Sequence, residues 1–173
     1  MNIRIVNPLG DHLISAKFLF GSRIYGNHTE QSDHDYLHLV NYDCGEKVLQ
    51  YKDAQYDYLY TDMKNFLKHL STGASQVNFE VLHTDDFQNK IPIDPMQYYT
   101  SRTAKAYLGL AKRDLYYPER LFHVNRCLYI AEKVIKKELI QISDIGKLVV
   151  SEDLGHMRQQ IAELRAGLKY DNE

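Results

Sequence analysis

Tryptophan is absent from this chain of 173 residues, and Cys44 and Cys127 are its only cysteines. Two thiols without metal-like spacing build neither a disulfide framework nor a thiolate zinc site, and reduced thiols in a cytoplasm are the simplest account. No window of 18 apolar residues occurs, so no transmembrane helix is expected. The opening Met1-Asn2-Ile3-Arg4-Ile5-Val6-Asn7-Pro8 lacks a sustained apolar core and a cleavage site, so no signal peptide is read there. A large charge of one sign is missing too. A net charge of −2 does not suit a general polyanion binder. Internal repeats and low-complexity segments are absent.

What is present fits a globular domain. Apolar residues make up 44% and charged residues 25%, enough for one good core with a helical appendage. Fourteen tyrosines take the place of tryptophan. Most are expected half-buried in core or interface, and any exposed ones can stack on bases. Basic residues gather at Arg102, Lys105, Lys112, Arg113, Arg120, Arg126, Lys133, Lys136 and Lys137. This region reads as a solvated helix face or as a surface for a nucleotide or nucleic acid.

The pattern predicts strands at 14–20, 33–41, 47–51 and 55–61, with a turn at 41–46. Ser22 caps a short helix or turn over 22–29. Asp62 caps a helix bearing Met63, Phe66, Leu67 and Leu70 at helical spacing, and Gly73 ends it. Residues 75–83 are ambiguous. Ile91-Pro92-Ile93-Asp94-Pro95 reads as a loop and as a boundary, with a sheet-bearing region over 1–92 and a helical region over 93–173 packed on it. Helices are expected at 97–115, broken by Tyr116-Tyr117-Pro118, at 119–138, with Leu121, Val124, Leu128, Ile135 and Leu139 on one face, and at 153–168. Asp11-His12 reads as a cap of a short element, and the tail 169–173 as frayed. The fold class is α/β (α+β): a small mixed sheet flanked by helices, followed by a C-terminal helical region.

The chemistry concentrates in residues 20–36, Phe-Gly-Ser-Arg-Ile-Tyr-Gly-Asn-His-Thr-Glu-Gln-Ser-Asp-His-Asp-Tyr. A strand running into Gly21-Ser22 makes a tight turn that presents backbone N–H groups and allows close approach. Asp33 and Asp35, two apart on a strand, project to the same face. Such a pair facing an anion site has the parts to hold a divalent metal against a triphosphate. The plain alternative makes Asp33 a turn cap. His28, His34 and His38 flank the acids, but His34 alternates with them and faces away, and no Cys/His ligand spacing supports zinc.

The string Gly21-Ser22-Arg23-Ile24-Tyr25-Gly26 with Ser32-Asp33-His34-Asp35 resembles the polymerase-beta-type nucleotidyltransferase superfamily, in particular its RNA-repair-associated bacterial and phage branch. Asp57-Tyr58-Leu59-Tyr60-Thr61-Asp62 resembles that branch's third-carboxylate strand, and Lys105–Ala111 with Arg120–Arg126 its C-terminal helical pair. The resemblance covers roughly residues 14–140. It suggests a short helix over 75–83. It implies a nucleotidyltransferase core in 1–92, with Asp33, Asp35 and Asp57 as catalytic metal ligands and Asp57 as the base for the acceptor. It implies Mg²⁺, or Mn²⁺ in its place, as cofactor. Gly21 and Ser22 are expected to hold the β/γ-phosphates of a nucleoside triphosphate such as ATP, with Arg23, His123 and Arg126 as further phosphate contacts. Ser32 is expected to hold the Asp33 backbone, and Glu80 to make a structural hydrogen bond. The acceptor is a hydroxyl of an RNA 3′ end, a small molecule or a protein. Where the branch has a small residue after the second Asp, this chain has Tyr36-Leu37-His38. That departure favours an alternative, a transferase fold kept as a binding or regulatory module, such as an antitoxin-like or phage-encoded partner.

Overall fold

The computed structural model describes residues 14–45 and 49–168. Asp11-His12 and the tail 169–173 lie outside the described residues. Four strands form one mixed sheet: β1 (Ile14–Phe20), β2 (His34–Val40), β3 (Leu49–Lys52) and β4 (Tyr56–Asp62), in the order β1-β2-β4-β3. β1 runs antiparallel to β2, β2 parallel to β4, and β3 antiparallel to β4.

The period of two along each strand divides the sheet into unlike faces. Phe18, Leu37 and Leu39 are buried in a core shared with Phe66, Phe79, Ala104, Leu108, Val124, Ile130 and Met157 from the helices. The opposite face carries a second cluster, Val40, Tyr58 and Tyr60, with Tyr36 and Tyr56 against it. The helices are α1 (Ser22–Tyr25), α2 (Met63–Thr72), α3 (Gln76–Leu82), α4 (Asp85–Lys90), α5 (Ser101–Asp114), α6 (Leu121–Lys136), α7 (Ile142–Ile145) and α8 (Leu154–Gly167). None among the described residues is long and apolar enough to cross a membrane. Both cysteines are free thiols.

Local chemistry sets the helix ends. Side chains of Asp62, Ser75, Thr84, Thr100 and Asp153 accept from the backbone N–H three residues on, opening α2, α3, α4, α5 and α8. Each such cap is worth about 1 kcal/mol. Gly73 closes α2 in the left-handed region. Gly146 serves closeness instead: a Cβ there would stand 1.8 Å from the Tyr25 carbonyl oxygen, so only glycine lets the end of α7 reach α1.

The structure departs from the sequence pattern in several places. The short helix after β1 is capped by Gly21 and not by the Ser22 side chain, and it ends at Tyr25, where Gly26 turns left-handed. The helix expected over 97–115 is two pieces, a 3₁₀ turn at Pro95–Tyr98 and α5. The break falls where Thr100 caps α5 and the buried Tyr99 leaves the helical path. The next helix starts only at Leu121, after a 3₁₀ turn at Pro118–Arg120. It ends at Lys137, which takes a left-handed conformation, so Leu139 leaves the expected apolar face and is 57% exposed. α4 and α7, of six and four residues, fall where the pattern gives no helix.

Tyr99 shows what decides these details. His83 Nδ1 lies 2.7 Å from the Phe79 carbonyl oxygen and must donate to it, so Nε2 accepts from the Tyr99 hydroxyl at 2.9 Å. The Ile140 N–H donates to the same hydroxyl at 3.1 Å. Burial pushes His83 down to about 4 from its usual 6.5, so the ring is neutral at pH 7. A depressed folded-state pKa means that the unfolded chain binds the proton more readily between pH 6.5 and 4. Stability is therefore full above about pH 6.5 and falls as the pH drops towards 4. The expected loss is on the order of 2–3 kcal/mol. Urea unfolding at both ends of that window, on wild type and His83→Gln, checks it: the variant should show a smaller difference.

Candidate active site

Three strand ends meet at one edge of the sheet. The parallel register sets Asp35 directly beside Asp57, and the antiparallel one sets Phe20, the last residue of β1, beside Asp35. Gly21 follows at once, with φ 71°. A Cβ on Gly21 would stand 2.1 Å from Asp35 Oδ2, so this glycine is required twice, for its backbone conformation and for room beside the carboxylate. Asp33, two residues before Asp35, shares its parity. Partial burial, and then the negative charges of Asp57 and Asp33, raise the Asp35 pKa above the ordinary carboxylate value. The three acids thus feel one another.

Sequence reasoning missed two neighbours of these acids. Lys52 Nζ stands 3.5 Å from Asp33 Oδ2 and 3.7 Å from Asp57 Oδ2. Gln50 Nε2 donates to both oxygens of Asp57 at 2.9 Å. Both come from β3, which pairs Lys52 opposite Asp57. The signal was present in Lys52-Asp53-Ala54-Gln55, a hairpin turn in which Asp53 Oδ1 accepts from the N–H groups of Gln55 and Tyr56.

Arg23 turns inward. Its Nε donates to the Asp33 carbonyl at 3.0 Å and its NH2 to the Ser32 carbonyl at 2.8 Å. Arg23 therefore fixes the backbone that presents Asp33, the task expected of Ser32. The Ser32 hydroxyl instead accepts from Thr29 N at 2.9 Å and closes the loop before it.

Beneath the Gly21-Ser22 turn lies a buried polar network. The Tyr25 hydroxyl donates to Glu80 Oε2 and accepts from Arg126 NH1 at 2.8 Å. The Tyr107 hydroxyl donates to Glu80 Oε1 at 3.2 Å, and Arg126 Nε lies 3.7 Å from that oxygen. Burial and the neighbouring Glu80 carboxylate raise both tyrosines well above their usual range. Arg126 NH2 donates to His123 Nδ1 at 3.0 Å. That assigns the His123 proton to Nε2, which faces Asp114 Oδ2 at 3.3 Å. Burial, then the Arg126 charge, push His123 down to about 4, so the ring is neutral and its contact with Asp114 is no ion pair. The fully buried Asp114 is neutralised by Arg113 and Arg120, at 2.6 and 3.1 Å. The Arg113 hydrogen bonds hold its carboxyl below the usual range.

His123 and Arg126 thus belong to this network and connect to the Gly21-Ser22 turn through Tyr25, three residues after Ser22. The basic stretch is largely spent within the molecule: Lys133 pairs with Glu138 and Lys136 with Glu132. Cys127 is fully buried, and burial pushes its thiol up to about 12, which leaves it unreactive. Asp62 caps α2 and accepts from Cys44 N at 2.8 Å, a role that needs no metal.

Among the described residues, no three His, Cys, Asp or Glu side chains already stand as a metal-ligating group. The donor set at the strand ends nevertheless suits a hard cation. It is all carboxylate oxygen, it is like-charged, and an ammonium group, that of Lys52, stands between Asp33 and Asp57 as a cation would.

No protein-family model and no curated protein matches the chain. Among solved structures it is similar to a nucleotidyltransferase-like protein from Exiguobacterium sibiricum 255-15, at 13% identity and a TM-score of 0.36, over 91% of this chain and 69% of that one.

The packing around the turn makes its stability sensitive to single substitutions. Glu80→Ala strands the Arg126 charge and should cost about 3–5 kcal/mol in chemical denaturation. Tyr25→Phe should cost about 1–3 kcal/mol, because Glu80 and Arg126 lose their shared partner. Gly21→Ala should destabilise by more than about 2 kcal/mol, since its backbone, at φ 71° and ψ −154°, is essentially reserved for glycine and costs any other residue about 1–3 kcal/mol. Adding Asp35→Ala should recover the steric component of that loss, and the double-mutant cycle reads it.

Proposed function

We propose that the chain is a Mg²⁺-dependent nucleotidyltransferase that moves a nucleoside monophosphate from a nucleoside triphosphate to a hydroxyl acceptor. The observation that carries this reading is the in-register pairing of Asp35 with Asp57, with the Asp35 carboxylate seated against a glycine that nothing larger can replace. Asp33, Asp35 and Asp57 would hold the metal, in the place where the Lys52 ammonium now meets Asp33 and Asp57. The bound Mg²⁺ supplies neutralisation of the pyrophosphate charge and polarisation of the α-phosphate. Gly21 and Ser22 hold the β/γ-phosphates through backbone N–H groups and the Ser22 hydroxyl. Arg23 positions Asp33. The acceptor oxygen bonds to the α-phosphorus, the bond to the β-phosphate oxygen breaks, pyrophosphate leaves, and the acceptor proton passes to Asp57. Arg126 and His123 act on the phosphate turn by bracing Tyr25. The likeness of the motif to RNA-repair-associated transferases supports an RNA 3′ end as acceptor and ATP among the donors.

One observation favours a second reading. Lys52 and Gln50 give Asp33 and Asp57 partners from the protein itself, as in a transferase fold that serves as a binding or regulatory module.

Thermal melting with ATP, GTP, CTP and UTP, each with Mg²⁺ and with EDTA, separates the two. For the enzyme, one triphosphate with Mg²⁺ should stabilise by about 2.7 kcal/mol at a hundredfold excess over its Kd. EDTA or Asp33→Asn with Asp35→Asn should remove the shift and, in a pyrophosphate-release assay, the activity. Unchanged transfer in that double variant would rule the mechanism out. No shift with any triphosphate would favour the module.

A further inference from the structure

On the face of the sheet turned away from the helices, β2 and β4 carry His34, Tyr36, Tyr56 and Tyr58 as a two-by-two block of near-parallel rings. His34 stacks on Tyr56 with centroids 5.3 Å apart and 26° between planes, and Tyr36 on Tyr58 at 6.0 Å and 16°. Along the strands, His34 and Tyr36 lie 6.3 Å apart at 19°, and Tyr56 and Tyr58 5.7 Å apart at 1°. Tyr51 from β3 adds a ring 6.2 Å from Tyr58 and is 44% exposed.

The accessibility of this block is graded. At the far end of the strands His38 and Tyr60 are buried, whereas His34, Tyr36 and Tyr56 stay partly open. The open end is the edge that holds the carboxylates. His34 and Tyr36 flank Asp35 in the chain, and Tyr56 and Tyr58 flank Asp57. Positive groups border the open end: Arg23 and Lys17 both act electrostatically on His34, and the Lys17 ammonium sits 3.6 Å over the Tyr36 ring. The Gly21-Ser22 turn and Asp35 belong to the other, helix-bearing face, so a triphosphate held there leaves the rings to a different molecule.

We infer that this ring block is a docking platform for a single-stranded nucleic acid, whose end bases stack on His34 and Tyr56 and whose terminal hydroxyl reaches the three carboxylates. The inference rests on the transferase reading for the role of that hydroxyl, while the docking itself needs neither metal nor triphosphate. Parallel rings with bordering cations are the features by which sheets hold unpaired strands without reading sequence.

Fluorescence anisotropy with a labelled single-stranded RNA oligonucleotide, in EDTA and without triphosphate, tests the platform. Binding is expected in the micromolar range and to weaken with salt. His34→Ala with Tyr56→Ala should weaken it at least tenfold. His34→Phe with Tyr56→Phe, which keeps the rings, should restore most of it, and equal melting temperatures confirm that both variants fold. Absence of binding by the wild type at about 100 µM, or equal binding by the alanine pair, overturns the platform. So does an alanine pair that binds RNA normally but loses the Mg²⁺-dependent triphosphate shift, because the rings would then hold the donor base. Strand binding without any triphosphate shift keeps the platform and overturns the transferase; the converse keeps the transferase and overturns the platform.

Discussion

The Glu80 carboxylate is the constraint on which the rest of the structure hangs. It is 5% exposed, and a buried charge persists only when paired and hydrogen-bonded. Its partners come from three directions: Tyr25 from α1, Tyr107 from α5 and Arg126 from α6. Those contacts fix the helical region against the short helix that follows the Gly21-Ser22 turn. The turn is therefore held from below by a charge that cannot be left unmet. A second buried carboxylate, Asp114, is joined to the first through His123 and Arg126, so two acids and their cations form one continuous brace.

From above, the turn is held by the sheet. β1 delivers Gly21 to the side of Asp35, and Arg23 grips the backbone just ahead of Asp33. The edge where the strands end is thus fixed on both faces, while Lys52 and Gln50 meet the carboxylates with the ends of flexible side chains. Carboxylates held close by a rigid frame repel one another, and Asp35, partly buried beside Asp57 and Asp33, holds its proton more tightly than an ordinary carboxylate. Tyr25, in the brace beneath, and Arg23, which grips the loop above, lie two residues apart in α1, so a single turn of helix ties the site to both supports.

Much of the fold was legible because the relevant signals are local. Asp62 and Gly73 bound α2 in the structure as their residue types require, since a cap acts over three or four residues. The strand at 33–41 announced itself by alternation, which also put His34 on the face opposite Asp35, and those at 14–20 and 55–61 by an apolar and a tyrosine-rich run. The Ser75 cap and the run Val77, Phe79, Val81, Leu82 did not distinguish helix from strand by pattern; packing of α3 against β1 and α2 settled it. The helix expected through Tyr99 divides because that tyrosine anchors to His83 and Ile140, residues remote from it in sequence. No periodicity carries that information.

The sequence by itself determined which groups exist and which of them share a strand face: two acids two apart, a glycine able to adopt a positive φ, rings at alternate positions. Those facts depend on residues within a few places of each other. The tertiary structure alone decided that Asp57 stands beside Asp35, that Lys52 falls between Asp57 and Asp33, and that Arg126 is a buried brace for Tyr25. Each of these depends on strand register or on the desolvation of a charge by distant segments, and neither is written in the spacing of neighbouring residues.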